Sequence, residues 1–217
     1  MLFFMKKIKC LITAGATREF FDPVRFISNP STGKMGISIA KACRDAGWQT
    51  TLILAAAQAP APEGVEKISA ISADDMLRET SARFEDADIL IMTAAVSDMR
   101  PKQRLSYKVK KQDLQMSVEF EPTPDILKTL SRRKKSQILI GFAAETNDVL
   151  AYAKKKLEEK NLDAIAANNV SNPGSGFASD FNEISLVFKG GEILDLGRGA
   201  KEELAKKLVK ILGERFF

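Results

Sequence analysis

Lys9-Cys10-Leu11-Ile12-Thr13-Ala14-Gly15 is an apolar run that stops on a glycine. Its length and near-continuous hydrophobicity read as a strand buried on both faces. Residues 33–46, GKMGISIAKACRDA, repeat apolar side chains at helical spacing and lead into a second apolar strand, Gln49-Thr50-Thr51-Leu52-Ile53-Leu54. Together they spell a strand–helix–strand unit with an unusually long first connection.

Working outward, the alternation persists. A helix is predicted over 73–84, a strand over 88–93, a short helix over 124–130, a strand over 137–142, a helix over 147–160 and a strand over 164–167. A strand over 184–188 and a helix over 200–212 close the chain. This predicts an α/β fold: a three-layer, Rossmann-like domain with a mainly parallel sheet, formed as one domain over residues 1–217. Residues 98–121 break the rhythm. They are polar and lysine-rich, with Leu114, Met116, Val118 and Phe120 alternating at the end, and read as an extended β-flap.

With 217 residues of which 45% are hydrophobic, the chain is long enough to bury a full core. The net charge of +5 comes from 33 cations interspersed with 28 anions, not from a basic block, a balance that suits a nucleotide better than a nucleic acid. No run approaches the roughly 20 apolar residues that span a bilayer, and Met1 to Met5 is too short for a secretory signal, so the cytoplasm is expected. Cys10 and Cys43 have neither metal-ligand nor redox spacing and read as core residues. The chain contains no histidine. That removes Ser-His-Asp hydrolysis, Cys-His catalysis and histidine-ligated zinc, and leaves chemistry to Lys, Arg, Asp, Glu, Asn, backbone amides or a bound group.

Ligands of open parallel sheets bind beyond the carboxyl ends of the strands. After the first strand come Gly15-Ala16-Thr17-Arg18-Glu19, then Asp22-Pro23-Val24-Arg25, then Ser28-Asn29-Pro30-Ser31-Thr32-Gly33-Lys34-Met35-Gly36 opening a helix. Small residues at a helix start admit a phosphate, or merely cap the helix. The stretch is not a Walker A loop: Ser28 replaces its first glycine and Met35 its hydroxyl residue. It also lacks the G-x-G of the dinucleotide fingerprint. Thr93-Ala94-Ala95-Val96-Ser97-Asp98 offers room for a flat ligand and a carboxylate acceptor, or is simply a tight-packed turn. Lys108 and Lys110 share one side of the flap, where they could neutralise a triphosphate or simply be solvated. Pro124 and Asp125 open a helix with free amides. Phe142 could stack on a base or pack in the core. Lys156 and Lys160 share a helix face, and Asn168 could read a base edge or satisfy a turn.

In order along the chain, Ile12-Thr-Ala-Gly-Ala-Thr-Arg-Glu19, Asp22-Pro-Val-Arg-Phe-Ile-Ser-Asn29, Ser31-Thr-Gly-Lys-Met-Gly36, Ala94-Ala-Val-Ser-Asp98, Lys108-Val-Lys-Lys111, Gly141-Phe-Ala-Ala-Glu-Thr146 and Asn161-Leu-Asp163 with Ala167-Asn168 resemble the phosphopantothenoylcysteine synthetase (phosphopantothenate–cysteine ligase) family in its stand-alone bacterial form. The resemblance implies a two-step reaction. The carboxylate of 4'-phosphopantothenate attacks the α-phosphate of CTP, releasing pyrophosphate, and the amine of L-cysteine then displaces CMP from the acyl-cytidylate.

The resemblance further implies roles. Lys108 and Asn29 would be catalytic. Gly15, Ser31, Gly33, Gly36, Asp98, Pro124, Asp125, Phe142, Lys156, Lys160 and Asn168 would bind the nucleotide, and Arg25, Asn29, Ala94 and Ala95 the phosphopantothenate. It implies Mg2+ held largely by phosphate oxygens, with no protein metal ligand assigned. It also implies a homodimer in which Arg25 serves the neighbouring subunit's site, and a flavin-dependent decarboxylase on a separate chain. Neither a membrane nor a nucleic acid is expected as partner. Ala16 and Pro30 depart from the family pattern within loops. The competing reading is a Rossmann-like dinucleotide-binding redox module, against which the missing glycine fingerprint and the lysine-rich flap both speak.

Overall fold

A computed structural model describes residues 7–113, 117–145, 147–169 and 179–217. Leu114, Met116 and Thr146, named above, lie outside the described residues. In chain order the elements are β1 (Lys9–Ala14), β2 (Arg18–Phe20), β3 (Phe26–Ser28), α1 (Lys34–Asp45), β4 (Gln49–Leu54), β5 (Glu66–Ser69), α2 (Ala73–Phe84), β6 (Ile89–Met92), β7 (Met99–Pro101), a 3-10 turn (Lys111–Asp113), β8 (Phe120–Pro122), α3 (Ile126–Ser131), β9 (Ile138–Glu145), α4 (Val149–Glu159), β10 (Ala164–Asn169), β11 (Phe181–Phe188), β12 (Ile193–Ala200) and α5 (Lys201–Phe216).

Eight strands form the central sheet in the order β12-β11-β10-β9-β6-β1-β4-β5. The strands from β5 across to β10 run parallel, while β11 and β12 turn back antiparallel at one edge. Because the inner strands are apolar on both faces, each residue parity feeds a different layer. Cys10, Ile12, Leu52, Ile91, Ile140 and Ala166 pack under α1 and α5, whereas Leu11, Ile53, Leu90, Leu139 and Ile165 pack against α2, α3 and α4. The mainly parallel three-layer arrangement matches the expectation.

Three elements were not foreseen. The long first connection contains a small antiparallel hairpin, β2–β3. A charged edge strand, β5, extends the sheet beside β4, and β12 inserts between the last predicted strand and the last helix. The flap stands on a second two-stranded pair, β7–β8. Its base is tied together where Thr123 donates its N–H to the Asp98 carbonyl at 3.1 Å and its hydroxyl to the Ser97 carbonyl. Among the described residues, no helix is long and apolar enough to cross a membrane.

Candidate functional site

In sheets of this order the chain reverses direction between β1 and β6, and the crevice above that point ordinarily receives the ligand. Here it is closed. Ala16 bridges both Ala95 and Ala56, with Thr17 donating to the Ala95 carbonyl at 3.2 Å and Ala95 donating to the Gly15 carbonyl at 2.8 Å. Gly15 makes this closure possible. Its φ of +84° suits glycine, and a Cβ there would lie 2.7 Å from the Ala56 carbonyl oxygen.

The open space is displaced toward β9 and β10. A cleft of about 370 Å³ is lined by Asn29, Thr93, Ala94, Ala95, Asp98, Pro124, Asp125, Phe142, Lys160 and Asn168, with Thr123, Ile126 and Leu127 completing its wall. The nucleotide and substrate residues drawn from the two strand ends after β6 and β9, and from the α3 start, therefore converge on one cavity. Ala94 and Ala95 leave it wide, and Phe142, half-buried, presents a ring to it while also packing on the core beneath. Asn29 is held across its mouth, its Nδ2 donating to the carbonyls of Ala95 at 3.4 Å and Val96 at 3.2 Å. Asn168 is 8% exposed, and its Oδ1 has no hydrogen-bond partner among the described residues. A buried amide oxygen in that position is a ready acceptor for a donor brought by a ligand.

Of the other expected residues, Gly15, Arg25, Ser31, Gly33, Gly36, Lys108 and Lys156 do not line this cleft. Gly33 caps α1 in the left-handed region, φ 74°, without a side-chain cap, and Ser31 Oγ accepts the Gly33 N–H at 3.3 Å. Gly36 is required by packing: a Cβ there would lie 2.2 Å from Thr93 Oγ1 and 2.5 Å from Ala14 Cβ. Lys108 is exposed on the flap and does not line the cleft. Lys156 is joined to Glu145 at 2.6 Å, and Lys160 to Asp125 at 3.0 Å. The two lysines thus share a helix end but grip different carboxylates. The α3 start is less open than expected, because Asp125 is its N-cap and accepts the Lys128 N–H at 3.0 Å. Arg25 is engaged by Asp22 and by the Val109 carbonyl.

Two features escaped sequence reading. Lys34, quoted only as part of a motif, pairs with Asp180, whose carboxyl it holds below the ordinary carboxylate range. Thr123 supplies the cleft wall and its tie to Ser97, but a lone threonine carries no pattern that would mark it. A second hollow of about 570 Å³ lies between the β2–β3 hairpin and α2. Its Arg100 is paired with Glu121 and Asp74, and its Arg18 and Arg104 lie over the Phe26 and Phe20 rings. Among the described residues, no group of three or more His, Cys, Asp or Glu side chains could hold a metal ion.

The chain is similar to known proteins over nearly its whole length. Residues 5–215 match the family model described as the DNA/pantothenate metabolism flavoprotein C-terminal domain. The chain is 45% identical over 201 residues to the Coenzyme A biosynthesis bifunctional protein CoaBC of Bacillus subtilis (strain 168), covering 92% of this chain and 50% of the relative. It is 39% identical to the protein of the same name from Escherichia coli (strain K12), covering 98% of this chain and 53% of the relative. The chain thus spans about half the length of the curated relatives it matches. Among solved structures, the C-terminal domain of a bifunctional CoaBC superposes with a TM-score of 0.81 at 39% identity, covering 95% of this chain and 94% of that one. The DNA/pantothenate metabolism flavoprotein from Streptococcus pneumoniae superposes with a TM-score of 0.82 at 26% identity, covering 95% and 99%. The chain belongs to the family of the DNA/pantothenate metabolism flavoprotein C-terminal domain.

Proposed function

We propose that this chain joins 4'-phosphopantothenate to L-cysteine at the expense of CTP, yielding 4'-phosphopantothenoyl-L-cysteine, CMP and pyrophosphate. The observation that carries the reading is the single cleft that brings Asn29, Asp98, Phe142, Lys160 and Asn168 together beyond the carboxyl ends of the strands, in a family whose relatives are named for coenzyme A biosynthesis.

A carboxylate is a poor acyl donor because its leaving group would be oxide. Transfer of a nucleotidyl group onto it supplies a good one. In this reading the base lies against Phe142, with the Asn168 amide and the Asp98 carboxylate reading its polar edge. Lys160 holds a phosphate after exchanging its Asp125 partner, and Lys156 can do the same by leaving Glu145. The phosphates extend toward the α1 start, where Ser31, Gly33 and Gly36 offer amides and the positive end of the helix dipole, with Gly15 beneath. Lys108 closes from the flap and neutralises charge as pyrophosphate leaves. Asn29 holds the activated acyl group while the cysteine amine attacks. With no acidic cage among the described residues, magnesium would ride on the phosphate oxygens, its usual mode with nucleotides.

A homodimer in which the partner's arginine completes the phosphopantothenate site, the cytoplasm as compartment, and a flavin-dependent decarboxylase as the neighbouring activity belong to the same proposal. Sedimentation of the purified chain checks the dimer, and a monomer at assay concentration would remove that part of it.

The deciding experiment is pyrophosphate release from the purified chain with magnesium, 4'-phosphopantothenate and cysteine, with CTP and ATP in parallel. Release that requires phosphopantothenate and is faster with CTP supports the whole reading. Faster release with ATP keeps the ligase and replaces the nucleotide, and no release with either refutes it. Lys108→Gln should abolish release, whereas Asn29→Asp should let the acyl-cytidylate escape into solution.

A further inference from the structure

The flap hangs from a buried carboxylate. Asp22, 2% exposed, lies between β2 and β3. Its Oδ1 accepts the backbone N–H groups of Val24 and Arg25, each at 2.8 Å. Its Oδ2 faces the Arg25 guanidinium at 3.0 Å and the Val109 N–H at 3.5 Å. Arg25 Nη2 in turn donates to the Val109 carbonyl at 2.6 Å. Both backbone polar groups of Val109 are therefore engaged by one carboxylate and the guanidinium that it orients.

Val109 stands between Lys108 and Lys110, whose side chains are exposed. Fixing its two peptide groups fixes where the lysine stems leave the backbone. The hairpin also meets the flap where Leu105 donates to the Phe21 carbonyl at 2.8 Å, where the Phe21 and Phe120 rings meet edge-on at 5.9 Å, and where the Arg104 guanidinium sits 5.2 Å over the Phe20 ring. None of these contacts involves the lysine pair. Burial pushes the Asp22 carboxyl up, but the amides of Arg25, Val24 and Val109 and the Arg25 charge outweigh it and hold the group below the ordinary carboxylate range.

We propose that Asp22, acting through Arg25 and the Val109 backbone of its own chain, is a positioning residue that sets the flap lysine Lys108 over the site. Arg25 then has a task within its own subunit beside any contact it makes to substrate. The catalytic half of this inference rests on the ligase reading above, but the mechanical half does not. A lysine on a loose flap still meets the nucleotide, yet spends less time where charge develops, so turnover suffers more than binding.

The test uses the full chain as wild type, Asp22→Asn and Arg25→Lys. Asp22→Asn keeps an oxygen for the hairpin amides. Arg25→Lys leaves the buried carboxylate alone and removes the fork that reaches the Val109 carbonyl, so it carries the test if the first variant fails to fold. Under native conditions, trypsin cleavage of the Lys108–Val109 bond, followed by mass spectrometry, should be about tenfold faster in both variants, because cleavage tracks the open population of a segment. In pyrophosphate release, kcat should fall about tenfold in both variants, with KM for phosphopantothenate within about twofold in Asp22→Asn, the variant that keeps the Arg25 side chain. Cleavage at the wild-type rate in both variants overturns the proposal. So does an Arg25→Lys enzyme with a raised KM and unchanged kcat and cleavage, which would make Arg25 a substrate ligand alone. If the wild type releases no pyrophosphate with either nucleotide, the ligase reading falls while the cleavage arm still decides the clamp.

Discussion

At the scale of single residues, family motifs serve two purposes that sequence reading merges. Gly36 was read as a phosphate contact, yet the helix-to-sheet approach needs it first. Gly36→Ala would push a methyl into Thr93 Oγ1 and Ala14 Cβ, and should cost about 1–3 kcal/mol. That appears as a fall of about 2–4 °C in Tm for each kcal/mol lost, and an unchanged Tm would show that α1 can shift freely. Asn161-Leu162-Asp163 is structural too. Asp163 accepts the Leu139 N–H at 2.8 Å and pairs with Lys134 at 2.5 Å, with the two side chains only 12% and 17% exposed. Asp163→Asn should lower stability by about 2–3 kcal/mol in denaturant unfolding, because it leaves a largely buried lysine side chain without its charge partner. By contrast, Asn168 lines the cleft with a buried oxygen that has no partner among the described residues. The sequence names this residue as a candidate, but only the packed strands show that its acceptor is unmatched there.

Among elements, the interior strands and the long helices were legible, because burial on both faces or along one stripe leaves a periodic trace. The missed strands lie where that trace is weak. β5, Glu66-Lys67-Ile68-Ser69, is a charged edge strand that buries little, and charge on an edge blunts pairing with other chains. β12 exposes Ile193 and Leu194, so its apolar residues do not alternate with the pleat. β2 and β3 are three residues each, too short for any periodicity. Helix α2 carries a capping box, in which Ser72 Oγ accepts the Asp75 N–H and Asp75 reaches back to the Ser72 N–H. Ser72→Ala should cost about 1 kcal/mol in denaturant unfolding. Burial raises the Asp75 pKa, but hydrogen bonds from Ser72, Arg78 and Ile71 lower it further, and the net shift is downward. Its contribution is therefore complete above the unfolded value of about 3.9 and fades as pH falls through the folded one. Asp75→Asn should be less stable than wild type at pH 7, with the gap narrowing below about pH 4 in thermal unfolding. A gap constant with pH would assign the loss to shape alone.

For the whole molecule, the sheet order governs where chemistry can occur. The strand order itself would suit a dinucleotide, but the Ala16–Ala95 bridge continues the β1–β6 pairing at the reversal point, and the cleft opens beside it, between the β6 end and β9 and β10. The core beneath is closed to reagents. Cys10 and Cys43 lie 2% and 0% exposed with their sulfurs 3.8 Å apart, and burial, with the neighbouring Cys43 thiol, pushes the Cys10 thiol up. Neither should react with a thiol reagent in the native protein, and both should react on unfolding in guanidinium. Native labelling of either would show that α1 lifts from the sheet.

What the sequence determined by itself was the alternation of elements, the exclusion of histidine chemistry and the list of residues near the strand ends. Periodicity and residue type are local properties, and the strands' carboxyl ends follow from chain direction. Tertiary structure decided which of those residues meet. Asn29 reaches the cleft only because β2–β3 folds back across the β6 end, Gly36 lets α1 approach Ala14 and Thr93, and Asp22 finds Val109 across 87 positions of chain. Such encounters depend on how layers stack in space, and no local pattern of side chains records them.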